Sequence, residues 1–236
     1  MKCRLCGNNA TLVRSHIIPE FFYRPMYQID HKMLVLSASG EHPIMIRQTG
    51  EWERLLCQHC DNQFSPHENY VRNLFHGRTK VRVSNNKSMF TLHDCDYTHV
   101  RLCFLSILWR MAVSSRPFFS NVNLGPHEKR LAQMLLTNNP GAPDEYGFFC
   151  SIPLLDGEVL DQLVLEPTWT RADGHRIYRT VMGGLIIMHW VSSHALTQTM
   201  KAACIQPDGT WHILSRPVHK IPFVHETLIK MAQNNN

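Results

Sequence analysis

Two C-x-x-C pairs, Cys3/Cys6 and Cys57/Cys60, constrain this chain more than any other feature. A thiolate pair at that spacing on a tight turn can hold one side of a zinc ion, and a second pair completes a tetrahedron. Gly7, directly after Cys6, suits the knuckle turn. Fifty residues, positions 7 to 56, separate the pairs, so folding must bring them together. Four buried thiols or two redox pairs are the competing readings. The paired spacing in a reducing compartment favours a structural zinc. Cys95, Cys103, Cys150 and Cys204 have no such partners and read as core residues.

The chain has 236 residues, 44% of them hydrophobic, so it can bury a substantial core in one large domain or two small ones. A net charge of +5 is compatible with a nucleic-acid partner but does not demand one. Met1-Lys2-Cys3 enters the first knuckle with no apolar stretch typical of a secretory signal. The most apolar window, Leu102 to Val113, is broken by Arg110 and is too short to span a bilayer. The expectation is a cytoplasmic protein without a membrane partner.

The patterning predicts an α+β fold: a zinc-stabilised ββα-like N-terminal module (1–80) packed on a second region (81–236) with a helical part and a mostly antiparallel sheet. In the module, a hairpin is expected over Lys32–Ser37 and Pro43–Gln48, turning at Ser39-Gly40-Glu41. Ser65-Pro66-His67-Glu68 reads as a capping box that starts a helix, with Tyr70, Val71, Leu74 and Phe75 on its apolar face and Gly77 as its stop. Further on, Tyr97–Ser114 is apolar nearly all round and predicts a buried helix. A second helix should follow from about Pro126 to Asn138. Alternation predicts strands over Tyr146–Leu154, Val159–Glu166, Arg176–Met182, Leu185–Val191, Lys201–Ile205 and Thr210–Leu214, with a hairpin turn at Pro207-Asp208-Gly209. An amphipathic helix should cover Phe223–Met231. An exposed sheet edge could support a homodimer.

Between the knuckles lies Ser15-His16-Ile17-Ile18-Pro19. The order C-x-x-C, then His-Ile-Ile-Pro, then Leu-Cys-x-x-Cys with polar residues and a helix resembles the zinc-containing branch of HNH (ββα-metal) endonucleases over residues 1 to about 76. The remainder resembles an uncharacterised extension and implies no chemistry. The resemblance implies a nuclease, acting first on DNA. His16 would be the general base that takes a proton from the attacking water, and a second divalent cation such as Mg²⁺ would neutralise charge on the scissile phosphate. The sequence departs from the family pattern at Ser15, where an acidic residue is usual, and after Cys60, where Asp61 precedes Asn62. Asp61 or Asn62 could orient His16 or its loop, and His67 could be a cation ligand. Against these, Asp61 and Asn62 suit a turn, and Glu68 is accounted for by the capping box and a pairing with Arg72. Arg24 and Arg72 are candidate phosphate contacts, with Arg78 and Lys80 near the helix end. Phe21 and Phe22 read as packing. Arg110 and Arg116, on and after the buried helix, need partners and read as structural. The rival reading is a catalytically silent zinc module that binds nucleic acid or a protein partner.

Overall fold

A computed structural model describes residues 1–27, 33–35, 45–47, 49–86 and 88–234. Its elements in chain order are β1 (Ser15–His16), β2 (Met33–Val35), β3 (Met45–Arg47), β4 (Trp52–Glu53), α1 (Gln58–Phe75), β5 (Arg82–Asn86), β6 (Met89–His93), α2 (Tyr97–Val113), α3 (His127–Leu136), β7 (Phe148–Leu155), β8 (Glu158–Val159), β9 (Val164–Ala172), β10 (His175–Met182), β11 (Leu185–Val191), α4 (Gln198–Ala203), β12 (Trp211–Pro217) and α5 (Pro222–Asn234). The architecture is α+β, as the patterning predicts.

The N-terminal residues zip along the segment before the second knuckle. Arg4 N–H donates to Leu55 O, Val13 N–H to Leu56 O and Ile17 N–H to Glu51 O. The short ladder β1–β4 pairs Ser15 with Glu53 and His16 with Trp52. Strands β2 and β3 pair antiparallel, as expected for the hairpin, while the Ser39-Gly40-Glu41 turn lies outside the described residues. Two contacts at glycine fix the loop after His16. A Cβ at Gly50 would fall 2.3 Å from the Tyr23 ring, and one at Gly183 would fall 2.6 Å from Phe22 O. Tyr23 and Phe22 therefore seat directly on bare backbone, which ties the loop to β4 and to the β10–β11 turn.

Helix α1 corrects the expected start at Ser65. It begins seven residues earlier, with Cys57 as the extended N-cap residue and Gln58 as the first helical residue. Pro66 consequently sits inside the helix rather than at its first position. The cost is contained, because the carbonyl it leaves without a partner belongs to exposed Asn62 and can face water. Gly77 does end the helix. With φ at +65°, it closes a double bond pattern, Arg78 N–H to Asn73 O and Gly77 N–H to Leu74 O.

Helix α2 is the core of the molecule. Apart from its first three residues and Ala112 it is buried along its whole length, and it packs against α1 and α3. Phe104 on it meets Phe22 (6.3 Å between ring centres), Phe148 (5.1 Å) and Trp211 (5.9 Å), so one hydrophobic cluster runs from Cys3 through α2 to Ile213. Two charges inside this helix are met by polar atoms. Arg101, completely buried, donates from Nε, Nη1 and Nη2 to the backbone carbonyls of Pro140, Ala142, Pro143, Glu145 and Tyr146. Arg110 is taken up below.

The main sheet has the order β5-β6-β12-β7-β11-β10-β9, with β8 beside β7. Every pairing is antiparallel except β12 with β7. Three sequence expectations change here. Lys201–Ile205 is not a strand; Gln198–Ala203 forms α4, with the Thr197 hydroxyl accepting from Met200 N–H at its start. The Pro207-Asp208-Gly209 turn therefore leads from α4 into β12 and joins no two adjacent strands. The second strand of the series begins at Val164, not Val159, and runs on to Ala172. The edge strand β5, exposed at every residue, carries no apolar alternation and is set by its pairing with β6.

His189 on β11 is fully buried beside Phe148. Burial first, and then the nearby Arg101 charge, push its pKa down from 6.5 to about 3. The folded state keeps it neutral while the unfolded state protonates it below 6.5. Its contribution is therefore intact above pH 6.5 and is lost as pH falls toward 3, by up to about 1.4 kcal/mol per pH unit. Urea unfolding across that interval should show a shallower loss in His189→Leu than in wild type. Parallel slopes would contradict this.

Candidate functional site

The four knuckle cysteines converge. Their Sγ atoms all lie within 4.8 Å of one another, with Cys6 and Cys57 3.9 Å apart. Zinc–thiolate bonds of about 2.3 Å set tetrahedral S···S separations of about 3.8 Å, so the cluster fits such an ion with small adjustment. Gly7 at φ +75° lets the first knuckle turn back, its N–H donating to Cys3 O. The second knuckle is the start of α1, where Cys57 and Cys60 occupy the N-cap and the first turn. Burial opposes ionisation of Cys3, yet the backbone N–H groups of Cys6, Cys57 and Leu5 together bring its pKa down to about 7. Cys60 is pushed up by burial and by the thiols beside it. A divalent cation held among the four sulfurs would favour their thiolate forms. Cys95, Cys103, Cys150 and Cys204 are buried singly in the core, as expected.

A second, chemically distinct place lies beside the cluster. A pocket of about 190 Å³ is bounded by Arg14 and His16, by the turn containing Pro19, Glu20, Phe21 and Arg24, by Asp61, Ser65, Glu68, Asn69 and Arg72, and by Arg110. The contributions of α1 recur at helical spacing, so one face of that helix forms a wall. His16 leaves β1 toward this wall. Its Nε2 is 2.9 Å from Glu20 Oε2, and Tyr27 Oη donates to Glu20 Oε1. Burial lowers the His16 pKa; Glu20 opposes the shift, while Arg14 and Arg110 add to it. His16 is therefore neutral near pH 7 and able to accept a proton.

Arg110 braces the site from below. Its Nη1 donates to His16 O at 2.6 Å, its Nη2 to Glu68 Oε1 at 2.6 Å, and its plane lies over Phe64 at 5.3 Å. One buried guanidinium therefore ties the strand carrying His16 to the helix wall facing it. Glu68 is engaged here rather than in a capping box. Arg116 likewise finds a structural place, donating to Trp52 O at 3.0 Å and lying over its ring.

The sequence-predicted residues divide. His16, Arg24 and Arg72 share the pocket. Asn62 is exposed one turn away, its Oδ1 accepting from Gln58 Nε2 at 2.7 Å. His67 is buried on another face of α1, where Nδ1 meets His99 Nδ1 at 2.9 Å and Nε2 meets Asn138 Oδ1 at 2.8 Å. Neither Asn62 nor His67 lines the pocket with His16. Asp61, one of the two residues expected to orient His16 or its loop, lines the pocket with it. Arg14 and Glu20 also take part and carry no motif of their own; the signal for Glu20 is its position four residues after His16. No helix among the described residues is long and apolar enough to cross a membrane. Comparison with family models, with curated proteins and with solved structures finds no match.

Proposed function

We propose that the chain is an HNH-type, metal-dependent endonuclease that hydrolyses phosphodiesters, with DNA as the first substrate to test. The observation that carries this reading is the His16 pocket: a neutral, carboxylate-paired histidine facing a helix wall, among four arginines and clear of the thiolate cluster. Glu20 holds the imidazole in one orientation, so that it can take a proton from a water aligned on the scissile phosphorus. Arg14, Arg24 and Arg72 would grip the non-bridging oxygens of the strand, and guanidinium forks match that geometry. The four-cysteine zinc is coordinatively closed and serves as a clasp. A second divalent cation such as Mg²⁺ would supply charge neutralisation at the leaving oxygen, and Asp61 is the pocket carboxylate left to hold it, having no ion-pair partner among the described residues.

A plasmid-nicking assay with Mg²⁺, Mn²⁺ and Ni²⁺ tests the reading. Wild type should nick, and His16→Ala should be slower by at least about 100-fold. Equal rates, both near background, would remove it. One observation favours a second reading, a silent module that binds nucleic acid or a protein partner. Two of the three pocket carboxylates are already committed, Glu68 to Arg110 and Glu20 to His16 and Tyr27. That reading expects oligonucleotide binding that weakens with salt and does not change in His16→Ala.

A further inference from the structure

Away from the residues of the His16 pocket, β9 and β10 place two arginines directly opposite each other. Arg171 pairs with Arg176 across the antiparallel ladder, and Val191 of β11 continues the same row. Like charges in that register repel, and the arrangement costs stability unless something neutralises it. These residues line a cavity of about 360 Å³ walled by the 123–127 loop and the 192–194 loop. His127, His194, Ser192 and Ser193 also line it, and no aspartate or glutamate does. Both arginines therefore lack a carboxylate partner within the cavity.

Arg176 is held in place by neutral groups. Its Nη1 donates to Asn123 O at 3.2 Å and lies 3.4 Å from Tyr178 Oη, and its guanidinium lies 4.9 Å from the Trp169 ring centre. Tyr178 Oη itself donates to Asn123 O, which fixes the loop above. Arg171, by contrast, is exposed at the cavity mouth. Of the imidazoles, His127 uses Nδ1 on Tyr146 Oη at 3.0 Å, and the backbone N–H of His194 donates to Ser192 Oγ at 3.1 Å. The cavity thus combines one anchored guanidinium, one exposed guanidinium, two imidazoles and the Ser193 hydroxyl without a counter-charge, the Ser192 hydroxyl being engaged by His175 Nδ1 at 2.7 Å.

We infer that this cavity binds a phosphate group carried by an organic ligand, either a phosphorylated small molecule or a nucleic-acid strand. A dianionic or strand phosphate satisfies both forks at once and removes the cross-strand repulsion, whereas a neutral ligand would leave it in place. Edge strands also carry charge to block sheet pairing, but that role needs neither a cavity nor a second arginine opposite the first. The site is independent of the His16 pocket, so its failure and the failure of the nuclease reading are separate outcomes.

The test uses the full chain, with adenosine monophosphate and a short single-stranded oligonucleotide as probes at fixed ionic strength. Arg171→Glu replaces the repulsive pair with an attractive one, so its Tm should equal or exceed that of wild type while its affinity drops by at least about tenfold. His194→Ala should also weaken binding, and His16→Ala should leave adenosine monophosphate binding unchanged. Binding of adenosine monophosphate that depends on Arg171 assigns a small phosphorylated ligand. Arg171-dependent binding of the oligonucleotide alone assigns a strand phosphate. If neither probe binds wild type, or if both bind Arg171→Glu and His194→Ala as tightly as wild type, the inference is overturned.

Discussion

Replacing Cys60 with Ser, or withdrawing the metal with a strong chelator, should unfold the first 75 residues rather than merely loosen them. Among the described residues before α1 regular structure is sparse: two-residue strands, two short 3-10 turns and one hairpin. Such a segment buries too little to offset its chain entropy alone. The knuckles close the loop between positions 6 and 57 and start α1 at the same point. Structural zinc sites in small modules contribute about 10–16 kcal/mol of apparent folding free energy, which is as large as the whole stability of a typical domain. Leu5, Leu12, Ile17 and Phe22 share one cluster with α2, so the loss should spread into the main core. The expected result is one zinc per chain by colorimetric release. Chelation or Cys60→Ser should bring a large fall in Tm and rapid proteolysis within residues 1–75. An unchanged Tm after complete chelation would contradict it.

The second large effect should come from Arg101. Its guanidinium is completely buried between the Tyr97 and Phe148 rings, and its hydrogen bonds go to backbone carbonyls, five of them in the 140–146 segment. Removing a buried charge's donors leaves those acceptors without partners, and breaking such an arrangement costs about 3–5 kcal/mol. Arg101→Met, which keeps much of the volume, should therefore lower the free energy of urea unfolding by that order. The 140–146 segment should lose amide-exchange protection first. A change below about 1 kcal/mol would show that the segment is held by other contacts, such as Lys201 with Asp144.

How much of this was readable in advance follows from which interactions are local. The four cysteines were legible because metal chemistry fixes residue type and spacing. Helix α2 was legible because a helix apolar on every side has only one place to go. Strands β10 and β11 were legible as short runs rich in β-branched, aromatic and other apolar residues. The start of α1 was misread because Ser65-Pro66-His67-Glu68 imitates a helix start, while the true start is set by the knuckle geometry at Cys57. Lys201–Ile205 was misread because its apolar residues alternate weakly, and the real cue was Thr197 placed three residues before Met200. Strand β5 was invisible, since Arg82, Ser84, Asn85 and Asn86 have no pattern until β6 pairs with them. The pocket was half legible. His16 stood out by motif, and Arg110 by being a charge on an apolar helix. That Arg110 joins His16 to Glu68 depends on α2 passing beneath both, a long-range fact that no local spacing carries.

We propose that metal and chemistry are separated here: a closed zinc clasp would hold the fold, and His16 in the adjacent pocket would perform the proton transfer. Single-turnover cleavage of a defined DNA duplex as a function of pH, with zinc content measured on each sample, tests it most directly. Wild type and His16→Ala should hold equal zinc, the wild-type rate should rise with pH and level off below the ordinary histidine value of 6.5, and the variant should lose at least about 100-fold at the plateau. Equal cleavage by the two proteins, or a rate that falls only in proportion to lost zinc, would contradict it.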